Sequence, residues 1–107
     1  MNTDTVLNWK KKISLKIQNY AREIFNLNDL SKNLFYSADA IESNCYEKLA
    51  NMLNKLFADN FNEEAREFIT TYEKYNHHSL REIGEDAAFK MLEDFEKIYS
   101  NWGGKTF

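Results

Sequence analysis

Apolar residues recur along this chain at intervals of three or four positions, the spacing at which side chains share one face of an α-helix. In residues 4–26 the apolar stripe begins at Val6 and Trp9 and continues to Tyr20 and Ile24. Polar and charged residues occupy most of the positions between them. The pattern predicts an amphipathic helix that buries one of its sides.

Three further segments repeat this period, namely residues 39–60, 62–72 and 79–102. Ser79 with Glu82 three positions later is typical of a capping box, which satisfies the free backbone N–H groups at a helix start. The double glycine after the last segment can end its helix, because glycine adopts a positive φ without strain. Each segment is therefore predicted to form one continuous helix.

A shorter apolar stretch predicts a short helix that starts near Asn28 and ends or kinks at "YSADA", residues 36–40. No part of the sequence has the two-residue period of a β-strand, and links of a few residues favour antiparallel neighbours. The sequence therefore predicts an all-α fold, a compact antiparallel helical bundle of four main helices plus one short helix. Residues 1–107 are expected to form a single domain, with residues 103–107 as a flexible C-terminal tail.

Composition limits the class of protein. The chain has 107 residues, of which 43% are hydrophobic and 15% aromatic, so it can bury one modest core. Its net charge of -3 excludes a global basic field that would attract nucleic acid or an anionic membrane. No apolar run approaches the roughly 18 residues of a membrane span, and "MNTDTVLNWKKK" lacks the apolar middle of a signal peptide. We expect a cytoplasmic protein without a membrane span.

The residues that could perform chemistry do not form a recognisable site. His77 and His78 flank a predicted helix break, and their helical partners Glu73 and Glu82 fall on opposite sides of it. A metal site needs three or four converging ligands. Glu42 lies on an apolar stripe and is the best-placed residue for an unrecognised active site, although exposure at a helix end explains it more simply. We expect no enzyme, no cofactor and no metal.

Two small residues lie on predicted helices. Cys45 falls on an apolar stripe, where a thiol is expected to pack as a small hydrophobic side chain. Gly84 lies inside the last predicted helix, where glycine costs about 1 kcal/mol relative to alanine. Close approach of a neighbouring helix is the simplest compensation for this cost, and a functional hinge is the alternative.

Phe89 gives the leading hypothesis on function. On a continuous last helix it projects about 160° away from Met91, so an intramolecular core cannot easily bury it. The acidic residues around it are Glu82, Glu85, Glu93 and Glu96. A lone exposed phenylalanine is common, but an aromatic ring among carboxylates favours a binding surface for a basic protein partner. This interpretation gives a small non-catalytic protein that acts by protein binding, as inhibitors, immunity proteins, antitoxins and adaptor subunits do.

The alternative hypothesis rests on an uneven distribution of charge. Residues 1–22 contain five Lys or Arg and one Asp or Glu, whereas residues 61–107 contain six and ten. The lysines of the first helix are Lys10, Lys11, Lys12 and Lys16. They could simply form a solvated face beside the acidic last helix, or contact phosphates and bind nucleic acid or a nucleoprotein. Leu15, beside them, is a second apolar residue expected to be exposed. A homodimer is open, because the stripe at 41–57 can exceed what one small bundle covers.

Overall fold

The structure, a computed structural model, describes the backbone of residues 3–28 and 33–107, and the side chains of these ranges from residue 9 onward. Within these ranges the chain has no strand, and its helices confirm the predicted all-α fold. The helices are α1 (Thr3–Ile24), α2 (Ala38–Ser43), α3 (Cys45–Leu56), α4 (Glu63–Tyr72), α5 (Leu80–Ile83) and α6 (Glu85–Asn101). Of the predicted short helix, a 3₁₀ turn at Leu34–Tyr36 is described. Its residues 29–32 and the Val6 side chain lie outside the described residues.

Side-chain caps begin several of these helices. Asn62 Oδ1 accepts a hydrogen bond from the Ala65 N–H at 2.8 Å and starts α4. Ser79 Oγ accepts from the Glu82 N–H at 3.2 Å, and Glu82 Oε1 accepts from the Ser79 N–H at 2.9 Å. This reciprocal pair is the predicted capping box, and it starts α5. The hydrogen bond from the Ser79 backbone, followed by that of its side chain, lowers the pKa of Glu82 below its usual value.

Two of the segments predicted as continuous helices are each broken. Asn44, with φ -155°, separates α2 from α3, and its side-chain oxygen accepts from the Glu47 N–H at 3.3 Å. Its Nδ2 donates to Asn76 Oδ1 at 3.0 Å, which ties the break to the turn before α5. Gly84, with φ 94° and ψ 160°, separates α5 from α6 in a conformation that is essentially restricted to glycine. A Cβ atom at Gly84 would meet nothing within 4 Å, so the expected close helix approach is wrong.

Contacts between side chains give the relative directions of the helices. The pairs that join α4 to α6 run in opposite directions: Tyr72 with Asp94 and Glu64 with Asn101. The contacts from α1 to α2 and to the 3₁₀ turn before it also run in opposite directions: Lys10 with Glu42, and Gln18 Nε2 with the Tyr36 carbonyl oxygen. The pairs that join α1 to α6 advance in the same direction: Trp9 with Phe89, Lys16 with Glu96 and Glu23 with Tyr99. The bundle therefore departs from a purely antiparallel order, because α1 and α6 run in the same direction.

The core collects the apolar stripes of the long helices. Fully buried side chains include Ile13, Ile17, Tyr20, Leu49, Met52, Leu53, Met91, Leu92 and Phe95. Cys45 is also fully buried, as its position on the stripe predicts. Burial raises the pKa of its thiol to about 12. The cysteine is thus a packing residue.

The residues after α6 lie against α1. Gly103 has φ 101°, and a Cβ atom at Gly104 would lie 2.4 Å from the Tyr99 ring, so only glycine permits this path. The Phe107 N–H donates to Tyr20 Oη at 3.0 Å, and the two rings are 5.2 Å apart. These contacts give the segment a defined position, and its predicted flexibility stays a prediction.

Candidate binding surface on helix α1

Two lysines of α1 form ion pairs with glutamates of the helices packed against it, α2 and α6. Lys10 Nζ lies 3.1 Å from Glu42 Oε1, and the Lys10 side chain is only 15% exposed. Lys16 Nζ lies 3.3 Å from Glu96 Oε2. Glu96 Oε2 also accepts a hydrogen bond from the hydroxyl group of the buried Tyr20. Burial, and then this bond, raises the pKa of Tyr20 above its usual value. Two of the four lysines are therefore held in intramolecular ion pairs.

The other two lysines lie on the part of α1 that faces away from the core, with Lys11 opposite the buried stripe and Lys12 one turn before Lys16. Lys11 and Lys12 are exposed, and neither forms an ion pair with any side chain that the structure describes. Leu15, one turn after Lys11, is 60% exposed, as its position predicts. This outer side of α1 combines two free positive charges with an apolar side chain.

A groove of about 340 Å³ runs between α1 and α2 beside these residues. Its lining residues are Lys10, Lys11, Ser14, Leu15, Ala38, Asp39 and Glu42. Most of the lining is apolar, since Leu15 and Ala38 contribute together with the methylene groups of the lysines. Asp39 is exposed and forms no ion pair among the described side chains, whereas Glu42 is paired with Lys10.

The acidic surface around Phe89 differs from its prediction. Phe89 is partly buried against the core, and its ring centroid lies 6.4 Å from that of Trp9. The expected exposed anchor is wrong because α1 covers this flank of α6, while α4 covers another. Glu96 belongs to the same covered flank, with 15% of its side chain exposed. Glu82 holds the capping box, and Glu85 and Glu93 are exposed. A binding role for these five residues stays a prediction.

The histidines occupy the predicted turn between helices. His77 has φ 68°, and His78 Nδ1 lies 3.0 Å from the Asn76 carbonyl oxygen. Among the described residues, no three His, Cys, Asp or Glu side chains are grouped so that they could hold a metal ion. Glu42, considered as an active-site residue, forms its ion pair with a lysine instead of packing against a histidine. None of the helices in the described part of the chain is long and apolar enough to cross a membrane.

These features describe a small all-α protein whose first helix presents a basic, partly apolar outer surface. The sequence model of one protein family, mitochondrial ribosomal protein S23, matches residues 14–100, which is most of the chain. The chain therefore belongs to the mitochondrial ribosomal protein S23 family. No curated protein and no solved structure matches the chain.

Family membership corrects two of the sequence-based expectations and leaves the open question of a homodimer without support. The chain is a ribosomal protein, so its assignment as an inhibitor, immunity protein, antitoxin or adaptor is wrong. The family is mitochondrial, so the cytoplasmic expectation is wrong as well. A structural component of a ribosome is not an enzyme, which agrees with the prediction that the chain does not catalyse a reaction.

Sequence reasoning identified the lysines of this surface but missed the other wall of the groove. Asp39 and Ala38 lie at the start of the short helix α2. The periodic pattern assigned residues 39–60 to one long helix, so nothing distinguished Asp39 from other polar positions. Ser37, whose side chain accepts from the Ala40 N–H, was the available signal for a separate helix start.

Proposed function

We propose that this chain is a structural component of the mitochondrial ribosome and that Lys11 and Lys12 contact phosphates of ribosomal RNA. Membership in a ribosomal protein family carries the first part of this proposal. The exposure of Lys11 and Lys12, neither of which forms an ion pair with a described side chain, supports the second. Other ribosomal proteins are the second class of partner that membership implies.

The four lysines of the sequence-based patch contribute unequally under this proposal. A lysine in an ion pair must lose its carboxylate partner before it neutralises a phosphate, and that loss offsets the gain. Lys10 and Lys16 are in this situation. Lys11 and Lys12 can release counterions from RNA without breaking a bond within the protein. We therefore assign the phosphate contacts to these two residues.

The salt dependence of RNA binding tests this assignment. A fluorescent RNA hairpin is titrated with the wild-type chain and with the double variant Lys11→Gln, Lys12→Gln between about 50 and 200 mM salt. Each lost phosphate contact reduces the slope of log affinity against log salt by about 0.9, so the double variant should lose about 2 units.

The variant Lys55→Gln, Lys97→Gln is the matched control, because both lysines are exposed, lie outside α1 and form no ion pair among the described side chains. Its slope should remain close to that of the wild type. An equal loss for both variants would mean that net charge alone governs binding. Wild-type binding that does not depend on salt would remove the proposed phosphate contacts.

A further inference from the structure

The groove between α1 and α2 lies beside one of the two proposed phosphate contacts, because Lys11 is among its lining residues. Lys12 projects about 100° further around α1 and does not line the groove. Single-stranded RNA is recognised when an unstacked base leaves the strand and rests against protein side chains. A base bound in this groove would keep its own phosphate within reach of Lys11. The position of the groove therefore suits a nucleotide whose phosphate is already held.

The lining supplies an apolar contact for the face of a base. Leu15 and Ala38 expose aliphatic surface from opposite walls, and the methylene groups of Lys10 and Lys11 extend it. A volume of about 340 Å³ is within the range of small-ligand sites. A wholly apolar groove would accept any base, so the polar groups of the lining decide its preference.

The two carboxylates that line the groove differ in how freely they can accept hydrogen bonds from a bound base. Glu42 is neutralised by Lys10 at 3.1 Å, so its acceptor capacity is partly used. Asp39 has no ion pair among the described side chains and keeps both carboxylate oxygens free. An ionised carboxylate only accepts hydrogen bonds. Asp39 therefore selects a base that offers donors at its edge.

We propose that this groove binds an unpaired guanine of RNA, with its Watson–Crick edge at Asp39 and its phosphate at Lys11. Guanine offers two adjacent donors, N1–H and the N2 amino group, which match the two oxygens of one carboxylate. Adenine, cytosine and uracil each place an acceptor beside their donor, and that acceptor would face the carboxylate. The inference rests on the proposed function, since Lys11 provides the phosphate contact.

Base preference tests the inference separately from phosphate binding. A short labelled strand of uridines is compared, by fluorescence anisotropy, with three strands that carry one central guanosine, adenosine or cytidine. The wild-type chain should bind the guanosine strand about 5- to 10-fold more tightly than the other three. Asp39→Asn should abolish this preference and leave the affinity for the uridine strand unchanged or higher.

Asp59→Asn is the matched control, because Asp59 is also exposed but lies after α3, away from the groove. It should retain the guanosine preference. Leu15→Ala should weaken the guanosine strand more than the uridine strand, because it removes part of the apolar wall. Circular dichroism and thermal unfolding identify any variant whose fold is altered.

The two proposals fail in different ways. If the lysine double variant weakens all four strands equally while the wild type binds them with one affinity, the guanine site is overturned and the phosphate contacts stand. That result would leave a protein segment as the occupant of the groove. If the lysine variant changes nothing but Asp39→Asn still abolishes a guanosine preference, the phosphate contacts fail and the base site stands. A guanosine preference that survives in Asp39→Asn overturns the role of Asp39.

Discussion

The inner and outer sides of α1 both carry lysines, but these lysines differ in whether a described carboxylate pairs with them. On the inner side, Lys16 and Tyr20 meet Glu96 of α6, and aromatic rings close the space around them. On the outer side, Lys11 and Lys12 have no such partner among the described residues, and Leu15 remains exposed. A run of lysines on one helix therefore contains both structural residues and residues that are free to bind.

This difference shows that charge in a sequence does not measure charge available for recognition. Lys16 and Lys11 are five positions apart on one helix, yet only Lys16 has a described carboxylate within ion-pair distance. The surface potential that a partner meets depends on which positive charges the fold has already neutralised. The free lysines define the candidate RNA surface more narrowly than the sequence does.

The largest expected contrast between the two sides is in stability. Tyr20→Ala removes a fully buried ring that packs against Phe95 and Tyr99 at about the same distance, 5.4 and 5.3 Å between centroids. The cost should be about 3–5 kcal/mol in the free energy of unfolding, as for other buried aromatic residues. Leu15→Ala on the outer side should change it by no more than about 0.5 kcal/mol. Urea unfolding measures both, and a comparable loss for Leu15→Ala would show that the outer side is also packed.

A medium effect is expected from the carboxylate that organises the inner side. Glu96→Ala removes an acceptor of the Tyr20 hydroxyl and the ion-pair partner of Lys16. The loss should be about 1–3 kcal/mol, because a buried polar group is left with fewer partners. Glu93→Ala, on the same helix but exposed, is the control and should stay within about 0.5 kcal/mol. Equal effects in thermal unfolding would mean that the inner polar contacts contribute nothing beyond helix propensity.

The smallest expected loss of stability is that of the ion-paired Lys16, and it distinguishes this lysine from Lys11, which has no described partner. Lys16→Gln should lower the free energy of unfolding by at most about 1 kcal/mol, since its ion pair is partly exposed. It should leave RNA affinity nearly unchanged. Lys11→Gln should leave stability unchanged and lower RNA affinity and its salt dependence. Measuring both properties on both variants checks the distinction, and a reversed result would assign the phosphate contact to Lys16.

The sequence predicts the helices well because burial follows the helical period. The predicted stripe of α1 is buried at Ile13, Ile17 and Tyr20, and the capping box at Ser79 starts a helix as expected. The breaks at Asn44 and Gly84 were not predicted. Apolar spacing continues across both positions, so the pattern alone does not show that the helix axis changes there.

The binding surface was less predictable because pairing depends on contacts distant in sequence. Glu42 lies 32 positions from Lys10, and Glu96 lies 80 positions from Lys16. The angle of Phe89 around the last helix, measured from Met91, predicts that it is exposed to solvent. That angle does not show that α1 packs on the same side. The contact of Phe89 with Trp9 arises only when α1 is placed beside α6. Family membership follows from a sequence model that spans residues 14–100, whereas helical periodicity and helix caps are common to many all-α proteins.

Because Cys45 is the only cysteine of the chain and is buried, its chemical modification can measure local opening of the core. Alkylating reagents attack the thiolate, and Cys45 is both fully buried and held in its protonated form by a raised pKa. Modification therefore requires the core beside the Asn44 break to separate, at least locally. The rate of alkylation at neutral pH would report how often this junction opens, and a bound RNA or protein that stabilises α2 against α1 should slow that rate.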